Sequence, residues 1–380
     1  MRLYGLLWLL LGPLLLAQPT IEELEHDGSI RGYVEFVPSS YDSETPMPLV
    51  LNLHGYTSNG IAQTAYSLLH NVAEEEGFIV VAPDGLLDDQ GITHWNAGWG
   101  SDVDDLGFLE FLIDELSVKY NIDQNRIYST GMSNGGYMSY SLACFLNHRI
   151  AAIASVTGSM VQPHLNGLCQ PERPVPVLQF HGTDDLTVPY EGSELFSAGI
   201  DDVMAFWASN NGCNETPEIT LLPDVVPFET DSSTVEHHVF ACETGADVEL
   251  YKIYGGGHTW PGALISIGNG ATTLDIDASQ LIWEFFERYT LDGFASSISE
   301  IENLETVYPN PFTDVLNIQM QSEGVYRLVI TDLSGKEIYR GLSTNTAIAT
   351  NEWSNGIYMI QFFNENGEHV FSRKALKLPK

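Results

Sequence analysis

The chain has 380 residues, 44% of them hydrophobic and 17% charged, the composition of a globular protein rather than a disordered one. Its length predicts one large domain and a smaller one. Fifteen Lys and Arg stand against 51 Asp and Glu, and a net charge of −36 repels phosphate backbones, so nucleic-acid binding is excluded as the expected function. The acidity reads as a solubility device rather than as a site for a cationic partner.

The N-terminal MRLYGLLWLLLGPLLLAQPT has a basic start, an apolar run too short to span a bilayer, and small residues at its end. Residues 1–17 are therefore expected to be a secretory signal peptide, with an uncleaved anchor as the alternative. No stable membrane span is expected. SIRGYVEFVP alternates like an edge strand, and MPLVLNLHG is a continuous apolar run that suits a buried strand. AYSLLHNVAEEEG has helical spacing and a glycine stop. FIVVAPDG follows as a buried strand. DDLGFLEFLIDELSVKYN predicts an amphipathic helix with Asp104 or Asp105 near its start. RIYSTG, AAIASVTG, VPVLQFHG and VELYKIYGGG read as strands. NGGYMSYSLACFLN, DDVMAFWASNNG and DASQLIWEFFERYT read as helices. This alternation predicts an α/β fold, a mostly parallel sheet with helices on both faces, over residues 18–291.

The pattern changes after that. Residues 292–305 are polar and patternless, a linker. Residues 306–380 contain short alternating strands, with hairpin turns expected at Ser334-Gly335 and Asn366-Gly367, and predict a small all-β sandwich. From Thr306 onward there are seven Lys/Arg and seven Asp/Glu, so the whole acidic excess lies in the preceding part.

Four cysteines, Cys144, Cys169, Cys213 and Cys242, fit two disulfides in an exported chain. Three pairings exist; Cys144–Cys169 and Cys213–Cys242 are favoured because each closes a short loop. No two cysteines have zinc-ligand spacing, and no metal or organic cofactor is expected.

GMSNGG places Ser133 between a strand and a helix, with Gly131 and Gly135 two residues to either side. A serine needs a base, an orienting acid and oxyanion donors before it becomes a nucleophile, and G-x-S-x-G in a strand-turn-helix context supplies the turn that presents it. The partners should follow in the order acid, then histidine. HGTDDLTVPY offers Asp184 or Asp185 just after a strand, with Asp185 preferred, and YKIYGGGHTWPG offers His258 after the next one. His54, His94 and His181 compete for the role of base, but none follows the last strand. Backbone N–H groups of Tyr56 and Asn134 are the expected oxyanion donors. Trp95, Trp99 and Trp260 lie in loops near strand ends and are candidates for a substrate-facing aromatic wall. SDVDD admits a calcium reading, but helix capping is the simpler one.

LHGYTSN, APDG, WNAG, DDLGF, RIYSTGMSNGGYMSYSLAC, HGTDDLTVPY and GGGHTWPG, in this order over roughly residues 28–290, resemble the secreted poly(3-hydroxybutyrate) depolymerase and feruloyl esterase-like α/β-hydrolases. The resemblance implies the α/β-hydrolase fold, Ser133 as nucleophile, Asp185 as orienting acid and His258 as base. Many members of that family have cysteine after the HG of the oxyanion loop, where this chain has Tyr56. YPNPFTDVLNI, VYRLVITDLSGKEI, GIYMIQF and the final RKALK resemble the sorting domain of the type IX secretion system. That implies export, with the secretion machinery as a partner. The expected function is a secreted serine esterase acting on feruloyl or acetyl esters of plant polysaccharide. A polyhydroxybutyrate depolymerase and a non-catalytic polymer-binding surface protein are the alternatives.

Overall fold

The computed structural model describes residues 17–193, 196–226, 228–265, 268–291, 293–294, 305–308, 312–320, 326–332, 336–343, 346–354, 356–363 and 369–377. Residues 1–16 of the expected signal peptide, most of the expected linker and both expected hairpin turns, at Ser334-Gly335 and Asn366-Gly367, lie outside these. The chain divides into two units, Met1–Ser296 and Ser297–Lys380.

The first unit runs β1 (Thr20–His26), β2 (Ser29–Phe36), β3 (Met47–Leu53), α1 (Gly60–Ser67), α2 (Leu69–Glu76), β4 (Ile79–Pro83) and a short hairpin of β5 (Leu86–Leu87) and β6 (Thr93–His94). Then come α3 (Asp105–Lys119), β7 (Ile122–Met132), α4 (Asn134–Phe145), β8 (Ala152–Val156), β9 (Val177–Gly182) and α5 (Ile200–Asn211). It closes with β10 (Glu218–Leu221), α6 (Phe228–Asp231), β11 (Thr234–Phe240), β12 (Val248–Tyr254), α7 (Ala278–Phe286), β13 (Tyr289–Thr290) and β14 (Gly293–Phe294).

Ten strands form one sheet in the order β1-β2-β4-β3-β7-β8-β9-β12-β11-β10. The six from β4 to β12 are parallel, and antiparallel pairs flank them at both ends. The continuous apolar runs follow from burial on both faces. In β3, Leu49, Leu51 and Leu53 face α3, α4 and α5 with Phe108, Met138 and Trp207, while Val50 faces the opposite core with Tyr66, Val72 and Phe286 from α1, α2 and α7. The chain steps from β3 one way to β4 and the other way to β7. The crevice between the carboxyl ends of β3 and β7 is therefore the topological switch point, where ligands of such sheets bind.

Three expectations are corrected. SIRGYVEF is not the edge strand: β1, an acidic and largely exposed segment, pairs outside it. The helix expected over AYSLLHNVAEEEG is two helices, broken at Leu68, whose φ of 52° is left-handed and ends the first. β10 and β11 add an antiparallel flank that the sequence reading passed over, because their side chains are mostly exposed or half-buried and give no apolar run. β10 is the outermost strand on that side, with Ile219 and Leu221 exposed.

Both favoured disulfides are formed, Cys144–Cys169 and Cys213–Cys242. The first ties the C-terminal end of α4 to the segment before β9. The second joins the chain after α5 to the chain after β11.

The second unit comprises β15 (Glu305–Tyr308), β16 (Val315–Met320), β17 (Tyr326–Asp332), β18 (Glu337–Ser343), β19 (Thr346–Ala349), β20 (Gly356–Phe363) and β21 (His369–Lys377). They form sheets β15-β16-β19 and β18-β17-β20-β21. Leu316, Ile318 and Ile348 from the first sheet share one buried core with Leu328, Ile330, Ile360 and Phe362 from the second. Two antiparallel sheets around one core make the expected sandwich.

Candidate active site

The strand-to-helix turn is as tight as its glycines imply. β7 ends at Met132, α4 begins at Asn134, and Ser133 between them has φ 53° and ψ −118°, a conformation uncommon for a residue with a Cβ. A Cβ at Gly131 would lie 2.6 Å from the Gly135 carbonyl carbon, and one at Gly135 would lie 2.2 Å from the Leu53 carbonyl oxygen. The backbone of β3 therefore passes directly over the turn, and only glycine fits at both flanks. The Ser133 N–H donates to the Val156 carbonyl (2.8 Å), and the Ser133 carbonyl accepts from Tyr137 N–H (3.0 Å). The strained residue is held by its neighbours on both sides.

The acid and the imidazole come from the ends of β9 and β12, on the same carboxyl edge of the sheet as Ser133. Asp185 is buried; its Oδ1 accepts the N–H groups of Thr187 and Val188, both at 2.8 Å. Its Oδ2 accepts from His258 Nδ1 at 2.7 Å. Asp184 is exposed, and its carboxylate accepts the neighbouring Thr183 hydroxyl at 3.1 Å. Of the two adjacent aspartates, Asp185 is the one that meets the imidazole. The His258 N–H donates to the Asn269 carbonyl (2.7 Å), which fixes the glycine-rich loop that carries the ring.

The competing histidines are otherwise engaged. His54 is buried, its Nδ1–H donating to the Gly55 carbonyl (2.7 Å) and its Nε2 accepting the Gly85 N–H (2.9 Å); burial pushes its basicity below the ordinary range. His94 lies between the Leu86 carbonyl and the Ser101 hydroxyl, each at 3.0 Å. His181 is buried beneath Asp185.

Ser133 and Asn134 open onto a cavity of about 990 Å³ that also touches Tyr56, Trp95, Trp99 and Tyr137. Its volume is in the range that takes a ligand of drug size. Asn134 is clamped to the 95–97 segment by a reciprocal pair: Trp95 N–H to its Oδ1 (2.6 Å), and its Nδ2 to the Trp95 carbonyl (3.0 Å). Trp95 is fully buried and its indole N–H donates to the His54 carbonyl (3.0 Å), so it forms floor rather than rim. Trp99 is half exposed and packs at 4.7 Å on Tyr137, whose phenol burial pushes up to about 12 and keeps neutral. Trp260 is a correction: it does not line this cavity. It is buried in the opposite core, its indole N–H on the Ser279 hydroxyl (3.1 Å) and its backbone N–H on the Tyr66 phenol (3.0 Å).

Other lining residues escaped the sequence reading. Leu186 and Phe196 supply exposed apolar surface, and Asp88 and Asp102 supply carboxylates. The Tyr56 hydroxyl donates to Asp88 at 2.7 Å, tying the loop after β3 to the loop between β5 and β6. Hydrogen bonds from the Ile92 N–H, Tyr56 and Gln90 hold the Asp88 carboxyl below its usual range. No sequence motif marks these residues; they meet only because two separate loops close over the switch point.

Among the described residues, no group of three or more His, Cys, Asp or Glu is placed to hold a metal ion. In SDVDD, Asp104 caps α3 by accepting the Gly107 N–H (2.8 Å), and Asp105 is buried against Arg31 (2.6 Å). That agrees with the capping reading and leaves these two carboxylates engaged.

Residues 104–210 match the phospholipase/carboxylesterase family model, and residues 306–376 match the secretion system C-terminal sorting domain. The chain is 28% identical over 284 residues to a bifunctional acetylxylan esterase/xylanase of Neocallimastix patriciarum, covering 73% of this chain and 36% of that protein. It is 31% identical over 231 residues to feruloyl esterase B of Piromyces equi, covering 58% and 41% respectively. It is 29% identical over 278 residues to probable feruloyl esterase C of Aspergillus terreus, covering 71% and 88%. The chain thus spans well under half of the first two relatives and most of the third. The chain is therefore similar to fungal feruloyl and acetylxylan esterases over its first unit, on an α/β-hydrolase fold, and to the secretion system C-terminal sorting domain over residues 306–376.

Proposed function

We propose that the protein is a secreted serine esterase in which Ser133, His258 and Asp185 act as the triad. The observation that carries this reading is the 2.7 Å bond between buried Asp185 and His258 Nδ1, at the sheet edge where the strained Ser133 opens onto a cavity. The bond leaves the other ring nitrogen free of that carboxylate and able to take the Ser133 proton. Ser133 Oγ then attacks the ester carbonyl. The N–H groups of Tyr56 and Asn134 receive the oxyanion; the latter, at the start of α4, also has the favourable end of the helix dipole. Collapse of the tetrahedral intermediate expels the alcohol with the proton from His258 and leaves an acyl-enzyme. Water, deprotonated by the same imidazole, releases the acid and restores Ser133.

The apolar surfaces of Trp99, Leu186 and Phe196 suit an acyl group with a flat or aliphatic body. The names of the relatives favour feruloyl or acetyl esters of plant polysaccharide as substrate. Export is supported by the C-terminal sorting module and the apolar N-terminus. Among the described residues, no helix is long and apolar enough to cross a membrane.

The test is hydrolysis of p-nitrophenyl acetate by the protein and by Ser133→Ala. The substitution is expected to lower kcat by roughly 10⁴-fold or more while leaving the thermal transition in place. Equal rates would favour the polymer-binding reading. Methyl ferulate, acetylated xylan and a polyhydroxybutyrate film then separate the esterases, and release of hydroxybutyrate alone would overturn the plant-polysaccharide assignment.

A further inference from the structure

We propose that His181 is a positioning residue of the triad, a permanently neutral imidazole that holds the Asp185 loop while leaving the carboxylate charge to His258 alone. This rests on the esterase reading above. His181 is completely buried near the end of β9, and its Nε2 lies 3.6 Å from Asp185 Oδ2, the oxygen that His258 Nδ1 reaches at 2.7 Å. Two imidazoles thus converge on one carboxylate oxygen, and the triad works only if they differ in protonation.

The hydrogen-bond pattern fixes that difference. Gln179, two residues earlier on β9, donates from Nε2 to His181 Nδ1 (3.0 Å). Its amide cannot turn over, because Nε2 shares its two hydrogens among Nδ1 and the carbonyls of Gly158 (3.0 Å) and Phe180 (3.1 Å), and its Oε1 accepts the Tyr140 hydroxyl (2.8 Å). A flipped amide would set oxygen against two carbonyls. The Val188 carbonyl, 2.8 Å from Nε2, needs a proton there, so in the neutral ring Nδ1 presents its lone pair to the shared Gln179 hydrogen. The Nε2 proton is donated to that carbonyl rather than to the carboxylate. Val188 in turn donates its own N–H to Asp185 Oδ1, so His181 fastens the turn that grips the triad acid.

The surroundings favour the same state. Burial pushes His181 below the ordinary histidine range, and the neighbouring His258 works in the same direction, against the hydrogen bonds to the Val188 and Gly158 carbonyls and the pull of Asp185. Tyr190 packs edge-on at 6.0 Å, with its hydroxyl given to Asp201. Lys252, paired with His181 across β12, carries its ammonium over the Tyr190 ring at 4.3 Å. A second proton on His181 would place a cation against Oδ2 and divide the charge that stabilises the His258 imidazolium during attack.

The experiment has two arms. In the intact protein with ¹⁵N-labelled histidine, long-range ¹⁵N–¹H spectra should show His181 as the neutral Nε2–H tautomer from pH 5 to pH 9. Protonation of His181 above pH 6 would overturn the proposal. The second arm is the pH profile of p-nitrophenyl acetate hydrolysis by Gln179→Glu and His181→Gln. Gln179→Glu puts an acceptor at Nδ1 and allows the ring its second proton. The expected result is kcat reduced about tenfold at pH 7, KM changed less than about twofold, and the acid limb moved about one unit lower, since one unit corresponds to tenfold. His181→Gln keeps a neutral donor that cannot charge and should leave the limb in place. A folded Gln179→Glu protein with an unchanged profile, or a His181→Gln protein as impaired as Gln179→Glu, would refute the role. Absence of Ser133-dependent hydrolysis in the parent would instead refute the esterase reading, and the spectra would still report the tautomer. If Gln179→Glu does not fold, the spectra of the parent decide.

Discussion

Asp184 and Asp185 differ by one position and by everything that matters chemically. Asp185 is buried, accepts two backbone N–H groups and meets His258, whereas Asp184 faces solvent. Asp185→Asn is therefore expected to lower kcat on p-nitrophenyl acetate by roughly 10³–10⁴-fold, because an amide favours the wrong imidazole tautomer. Asp184→Asn should stay within about twofold, since exposed polar side chains seldom contribute more. Steady-state kinetics on the two variants checks the contrast. At this scale the sequence was informative wherever geometry forces residue type. Glycine on each side of Ser133 is dictated by the Leu53 and Gly135 backbones and was readable as a spacing. Trp260 escapes a reading from sequence because neighbours of His258 along the chain need not share its direction; its ring is committed to Ser279 in the opposite core. Asp88 and Phe196 were invisible because no local pattern announces a residue whose role depends on a distant loop.

The elements were legible where burial on both faces leaves a continuous apolar run, as in β3, β4 and β8. They were not legible where a strand is mostly wet, as in β1 and β10, or where a single left-handed residue splits a helical pattern, as at Leu68. The start of α3 was narrowed to two aspartates, and the structure divides their roles: Asp104 caps the helix, while Asp105 pairs with Arg31 in the interior. Asp104→Ala is expected to cost about 1 kcal/mol of stability, the usual value of a lost N-cap. Because this carboxylate is engaged in capping, added calcium should not shift the melting temperature of the parent. Urea titration of the variant and thermal melts with and without calcium measure both.

For the molecule as a whole, acidification sets buried groups against each other. His54, His70, His164 and His181 are all pushed below the ordinary histidine range by burial. Unfolding lets each take a proton, so the unfolded chain binds more protons once the pH falls through the free imidazole value of about 6.5, and stability drops. Glu287 works the other way. Burial raises its carboxyl to about 7, so the folded chain binds the extra proton between the free glutamate value and that point, and stability rises there as the pH falls. Against Glu287, and the carboxyls of Asp247 and Asp275 that burial also raises, stand four imidazoles whose free value lies in this window, and the melting temperature should fall between pH 7 and pH 5.5. Glu287→Gln should steepen that fall, which scanning calorimetry across the range would show.

β10 presents Ile219 and Leu221 to solvent on the last strand of the ten-stranded sheet, an open rail to which a foreign strand can bind. At a net charge of −36, mutual repulsion between copies opposes such zipping. That protection vanishes near the isoelectric point of about 4.3. Turbidity in mildly acid, concentrated solution should accordingly originate at this rail, and Ile219→Lys should delay it in a light-scattering time course.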